Sequence, residues 1–367
     1  MDEASTARQV TLDGYTSSIL SSDAAAVSGI VDRLKWWGGQ PHIAFVQPDR
    51  DLHERASLPF PLILGADVQV TVGTERSCTS CGRPLSEGWS GTICGSCQGD
   101  PPFSGCIQNP ATKCSIENCP YPEYKQRSCD HTHLVYLAAT DRIKVGITRA
   151  GRARWRWAEQ GASHALPIAE AENRKLAGII EREIAKEVGL ATRTQYRWYQ
   201  PLDDVRRRLA EAACAARDVI PERIADRFLW CDREISSIAT EVIDVPDVWM
   251  EGGTHTLSRR LGTIQPGQSR EGTIVASRGP FIATDNFLVN TRKVAGYQVT
   301  IEANTAFVDT FDSAEEEPVK IQRDSDVPGD ASVTARLACT SETAGEDDED
   351  SHQEGENELE TNAAEFF

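Results

Sequence analysis

Four cysteines spaced Cys-x2-Cys-x12-Cys-x2-Cys, at Cys78, Cys81, Cys94 and Cys97, constrain this chain more than any other feature. The surrounding text, CTSCGRPL and TICGSC, is rich in Gly, Pro and Ser and cannot build a core by itself. Two such pairs on opposed turns can bring four thiolates together at tetrahedral geometry, the ligand set of a structural zinc ribbon. Gly82 and Gly95 let backbone amides turn in toward the sulfurs. Metal affinity in such a module is folding free energy. The spacing gives a zinc-stabilised module and leaves its activity open, since ribbons bind nucleic acid, bind protein or only hold a fold together.

Four more cysteines follow at Cys106, Cys114, Cys119 and Cys129, with His131 and His133 close behind. The first ten residues, MDEASTARQV, lack a basic and then apolar leader pattern, and no apolar run approaches the roughly 18 residues of a membrane span. The expectation is a cytoplasmic protein with no membrane partner, whose thiols are reduced and available to metal. A second zinc is then expected among Cys106, Cys114, Cys119 and Cys129, with either histidine able to replace a cysteine.

Charge divides the chain. Residues 312–367 hold 18 acidic and 3 basic residues, a net −15 out of −18 for the whole chain. Such text buries nothing and reads as a disordered acidic tail, a candidate surface for a protein partner or a competitor for a basic face. Residues 133–213 run the other way, with 15 basic against 10 acidic residues.

The pattern of the rest is α+β. Residues 1–76 form a β-rich segment with HIAFVQ, PFPLILG and the alternating DVQVTV. Residues 77–131 are the cysteine segment. Residues 132–213 read as a small α/β unit, in which HLVYLAA and RIKVGIT form a hairpin about Thr140-Asp141. Helical text follows in RARWRWAEQ, in ENRKLAGIIEREIAKEVG, which stops at Gly189, and in DDVRRRLAEAACAAR. Residues 214–311 return to β with EGTIVAS, PFIAT, FLVNT and GYQVTIE. Either β-rich segment could meet a protein partner.

The hairpin carries a resemblance. Leu134-Val135-Tyr136 and Lys144-Val145-Gly146 stand on its two strands, Arg154 lies eight residues beyond Gly146, and Ala177-Gly178-Ile179-Ile180-Glu181 sits on a later helix. This resembles the GIY-YIG nuclease superfamily, with Lys144 where the second tyrosine of the family stands. On a helix, Ala177, Glu181, Ile184 and Val188 share one stripe, so Glu181 is the acidic member of an otherwise apolar face. The resemblance implies Glu181 as the ligand of Mg²⁺ or Mn²⁺, Arg154 on the scissile phosphate, Tyr136 activating or orienting water, and Lys144 as phosphate donor or base. A wider set of motifs lies within roughly residues 45–305: the paired cysteines, the further cysteines, His133 to Leu137 with Lys144 to Thr148, Arg154-Trp155, Gln160-Gly161-Ala162, Gly178 with Glu181, and Asn290 to Tyr297. Their order is similar to that of an uncharacterised prokaryotic domain-of-unknown-function family.

Arg142, Arg149, Arg152 and Arg156 gather near the hairpin with Trp155, a combination suited to phosphates and stacked bases. Three functions fit: a metal-dependent phosphodiesterase acting on DNA or RNA, a non-catalytic nucleic-acid-binding module, or a zinc-stabilised protein-interaction scaffold.

Overall fold

The computed structural model describes residues 8–12, 15–19, 26–37, 40–46, 55–60, 63–195, 198, 202–230, 233–249 and 261–303. The acidic segment 312–367 lies outside them. Helices and strands are mixed, as α+β requires, and none of the helices among the described residues is long and apolar enough to cross a membrane.

Six strands precede the cysteine segment: β1 (Arg8–Leu12), β2 (Tyr15–Ile19), β3 (Ala26–Trp37), β4 (Gln40–Val46), β5 (Arg55–Pro59) and β6 (Asp67–Arg76). Short helices follow within it: α1 (Gly95–Gln98), α2 (Gly105–Gln108), α3 (Pro110–Lys113) and α4 (Pro122–Tyr124). The next unit contains β7 (His133–Ala139), β8 (Ile143–Arg149), α5 (Ala153–Glu159), β9 (His164–Ala171), α6 (Arg174–Val188), α7 (Val205–Val219), α8 (Ile235–Thr240) and β10 (Ile243–Asp244). The described chain closes with β11 (Val248–Trp249), β12 (Gly262–Thr263), β13 (Ser269–Arg278), β14 (Phe281–Thr284), β15 (Phe287–Asn290) and β16 (Tyr297–Ala303).

The two β-rich segments form one twelve-stranded sheet, ordered β1-β2-β5-β4-β3-β16-β6-β13-β14-β15-β12 with β11 beside β13. Strand β16 pairs antiparallel with both β3 and β6, so the far end of the described chain is laced between two early strands. Everything from the first cysteine to β10 is thus an insertion between strands of this sheet. Its apolar interior follows the period of a strand: Val68, Val70 and Val72 point in from β6, and Val299 and Ile301 from β16.

The inserted unit is an antiparallel sheet ordered β10-β9-β7-β8. Strand β7 is buried along its whole length because both faces are covered. Val135, Leu137 and Ala139 face α6, α7 and α8, whereas Leu134, Tyr136 and Ala138 face α5 and the large sheet. Three contacts fasten that second face to its neighbours. Trp155 of α5 stacks on Trp36 of β3 with ring centroids 6.2 Å apart. Gly161 and Gly279, both at positive φ, touch so closely that a Cβ on Gly279 would lie 2.7 Å from the Gly161 Cα. Arg278 donates to the Gly161 carbonyl at 3.3 Å.

Some elements depart from the sequence reading. Within PFPLILG, β5 ends at Pro59 and residues 63–65 form a turn, with Pro61 and Leu62 outside the described residues. Residues 214–240 continue the helical layer through α7, a short helical turn at Glu222–Arg227 and α8 before β structure resumes.

Candidate functional site

The first cysteine quartet converges. The sulfurs of Cys78, Cys81, Cys94 and Cys97 all lie within 4.8 Å of one another, Cys78 buried and the others half-buried. Gly82, at φ +72°, returns its amide to the Cys78 carbonyl at 2.8 Å. The Ser80 and Cys94 amides point at the Cys78 sulfur at 3.4 and 3.2 Å. Amide donors around a thiolate hold its charge, and four thiolates so gathered are the donor set of a structural zinc ion. Arg76, at the end of β6, donates to the Trp89 and Gly91 carbonyls, both at 2.5 Å, and lies 5.6 Å from the Tyr297 ring centroid. The module is therefore stapled to the large sheet.

The second quartet does not converge. Among the described residues, the first quartet is the one group of three or more Cys, His, Asp or Glu with ligand atoms this close. Cys106, Cys114, Cys119 and Cys129 share a neighbourhood, since their charges bear on one another, but no three of their sulfurs lie within 4.8 Å of one another. Burial pushes the Cys129 thiol up to about 11 against the pull of Arg174. His131 is exposed, and His133 is buried with Nδ1 2.7 Å from the His131 carbonyl oxygen. The expected second zinc thus has no assembled ligand set. The segment is held instead by packing: Pro110 sits so near Gly178 of α6 that a Cβ there would lie 2.6 Å from its Cγ, and Arg174 donates to the Ile107 carbonyl at 3.0 Å.

A second cluster forms at the hairpin. The β7–β8 register sets Tyr136 opposite Gly146 and Ala138 opposite Lys144, so Tyr136, Gly146 and Lys144 share a face. Gly146 is required there, because a Cβ would lie 2.8 Å from the Tyr136 hydroxyl and 3.1 Å from Lys144 Nζ. Gln160, at the end of α5, accepts from the Tyr136 hydroxyl at 3.0 Å and from Lys144 Nζ at 3.4 Å. Trp157 packs edge-on against the Tyr136 ring.

The electrostatics are unequal. Lys144 is only 3% exposed. Burial, with the nearby Arg156 and Arg292 charges, brings its ammonium down to about 8, against the opposing pull of Glu181. Burial pushes the Tyr136 phenol up to about 12. Glu181 is half-buried on the flank of α6; burial raises its carboxyl while Lys144, Arg174 and Arg156 pull it down.

The other residues taken from the sequence are placed as follows. Arg154 is exposed on α5. Arg156 lies roughly 200° further round that helix, and its charge bears on Tyr136, Lys144 and Glu181. Arg142 pairs with Asp141 at 3.1 Å, Arg149 donates to the Arg127 carbonyl at 3.1 Å, and Arg152 and Arg156 share Glu159 at 3.1 and 3.7 Å. Trp155 is occupied by Trp36. Sequence reasoning missed Arg156 and Gln160 as members of the cluster, although their i, i+4 spacing puts them on one helix face. Arg292 had no local signal.

Fold and sites together define an α+β protein in which a four-thiolate module and a small antiparallel α/β unit are inserted into one large sheet. The chain belongs to the family described as protein of unknown function (DUF2797), which matches residues 65–299. No curated protein and no solved structure matches it.

Proposed function

We propose that the chain binds nucleic acid through its phosphodiester backbone at the Tyr136–Lys144–Arg156–Glu181 cluster, and hydrolyses that backbone when a divalent ion is present. The observation that carries this reading is a buried lysine beside a half-buried glutamate, with further arginine charge bearing on both. Burying unequal charge is costly, and such groups are retained mostly where chemistry uses them. The resemblance of the hairpin to GIY-YIG nucleases supports the same site.

Each side chain has a role that its surroundings suit. Arg156 offers a forked donor to a phosphate oxygen and faces the charge that develops on it. Lys144, brought down to about 8, is partly a free amine near neutral pH and can take a proton from water. Tyr136 stays a neutral phenol and orients rather than deprotonates. One carboxylate among cations is a poor Mg²⁺ site alone and an adequate one once phosphate oxygens complete it. Glu181 would hold Mg²⁺ or Mn²⁺ in that way, and the ion would supply Lewis acidity at the phosphate. The zinc module has a structural part in this reading.

The test is a cleavage and binding assay with Mg²⁺ or Mn²⁺ on single-stranded, double-stranded and branched DNA and on structured RNA. Cleavage lost in Glu181→Ala with binding retained is the expected result. Binding without cleavage in either protein leaves the non-catalytic module. No binding at low or high salt leaves the protein-interaction scaffold.

A further inference from the structure

We propose that Gln160 is the positioning residue of this site: its one carboxamide oxygen holds both the Lys144 ammonium and the Tyr136 hydroxyl, so that the lysine is held without a carboxylate partner and the tyrosine oxygen is left to accept from the attacking water. The inference rests on the reading of the cluster as a phosphodiester site and gives a role to a side chain which that reading leaves idle. The chemistry of the donors fixes the assignment. Lysine carries three N–H donors and no acceptor, so the Gln160 atom 3.4 Å from Lys144 Nζ must be the oxygen. The Tyr136 hydroxyl lies 3.0 Å from the same oxygen, and a carboxamide oxygen only accepts, so the phenol proton is spent there. The phenol oxygen then faces the site as an acceptor alone, for a water or for the Arg156 guanidinium, whose hydrogen bond opposes the upward push of burial on the phenol.

The backbone around Gln160 holds it in place. The residue is 5% exposed and closes α5, its amide donating to the Trp157 and Arg156 carbonyls at 3.1 and 3.3 Å. Gly161 follows at φ +70° and lies against Gly279 of the large sheet, where a Cβ would come within 3.2 Å of the Gln160 carbonyl carbon. Among the described residues, Gln160 Oε1 is the one hydrogen-bond acceptor of Lys144 Nζ, and the Tyr136 ring centroid lies 5.8 Å from the same nitrogen. Burial, then Arg156 on α5 and Arg292 after β15, push that ammonium down, while Glu181 on α6 pulls it up without an ion pair to it among the described residues. A neutral acceptor in this position lets the amine keep a hydrogen bond and still release its proton near neutral pH. A carboxylate there would lock the proton on.

The experiment compares the full-length chain with Gln160→Glu and Gln160→Met. It reads the pH profile of Mg²⁺-dependent cleavage on the same DNA and RNA substrates, and denaturant melts from about pH 6 to about pH 9.5. In wild type the rate should rise with pH through a limb at about 8. Gln160→Glu should move that limb up by about one unit or more and cut cleavage at about pH 7.5 roughly tenfold, with KM little changed. It should also remove the rise in stability above pH 8, because folded and unfolded states then hold the same proton up to about the ordinary 10.5. Gln160→Met should move the limb and the start of the stability rise below 8, and yet lower the plateau rate roughly tenfold, because the amine and the hydroxyl are no longer aimed. A limb and a stability rise in Gln160→Glu that match wild type overturn the proposal, and so does an undiminished plateau in Gln160→Met. The methionine variant decides alone where the glutamate variant does not fold. If wild type cleaves none of the substrates, the hydrolytic reading fails and the melts decide on Gln160. A stability rise lost in Gln160→Glu then sustains its hold on the lysine; a rise kept there, or absent from wild type, overturns it.

Discussion

The zinc module and the lysine–glutamate cluster both gather ionisable groups, and they do so in opposite ways. Cys78, Cys81, Cys94 and Cys97 come from one stretch of 20 residues, and local turns aim their sulfurs at one point. A divalent ion there gives the charge a partner. Tyr136, Lys144, Gln160 and Glu181 come from two strands and two helices, with Lys144 buried and the Arg156 and Glu181 charges bearing on it in opposite directions. The first arrangement stabilises the fold. The second holds a buried lysine whose ammonium is brought down to about 8, a cost to the fold at neutral pH.

Removing the metal is the strongest way to break this comparison. Cys94→Ser or chelation should abolish zinc binding, on the order of 10 kcal/mol of apparent metal free energy, and should expose the 77–100 amides to hydrogen exchange while β7 and β8 stay protected. Elemental analysis should return about one zinc per chain, because among the described residues the first quartet is the one whose sulfurs converge. Two equivalents would contradict the placement of the second quartet.

Lys144→Met tests the other side. Replacing a buried cation by an apolar group of similar length should raise stability by about 1–3 kcal/mol near neutral pH and weaken nucleic-acid binding in the same protein. The pH dependence has a definite sign. Between pH about 8 and the ordinary 10.5, the folded state has released the Lys144 proton and the unfolded state still holds it. Stability from this group therefore rises with pH across that window. Denaturant melts at pH 7.5 and 9.5 should show the rise in wild type and its absence in Lys144→Met.

Smaller effects sharpen the picture. Gly146→Ala would push a methyl against the Tyr136 hydroxyl and Lys144 Nζ, and Gly178→Ala would push one against Pro110. Each should cost about 1–3 kcal/mol, the first with loss of binding and the second without it. Cys119→Ser should change melting least, by under about 0.5 kcal/mol, in contrast to Cys94→Ser.

What the sequence made legible follows the range of the interactions. The zinc quartet is local, and paired x2 spacings announce it. Helix α6 was readable from its apolar face, and it ends as the text implies with Gly189 in the left-handed conformation, while Asn173, inside the helical text, caps its start by accepting from the Leu176 amide at 2.9 Å. Strand β9 was not readable, because Pro167 argues against a central strand; the chain tolerates it at the bulge where pairing shifts between Val135 and Tyr136. Strand β3 was obscured by Asp32, which is buried but paired with Arg33 and Lys35 at 3.0 and 3.3 Å. In the cluster, Tyr136, Lys144 and Glu181 could be named from spacing and resemblance. Which arginine bears on them depends on the rotation of α5, beyond any local pattern.

The most direct test of the central claim is to map where an oligonucleotide touches the protein. Hydrogen-exchange footprinting with a single-stranded or structured nucleic acid should show protection concentrated in residues 143–149 and 153–160, weakened in Arg156→Ala. Protection confined to the zinc module, or to the surface of α7 where Arg206 and Arg207 pair with Asp244, Asp204 and Glu211, would contradict it.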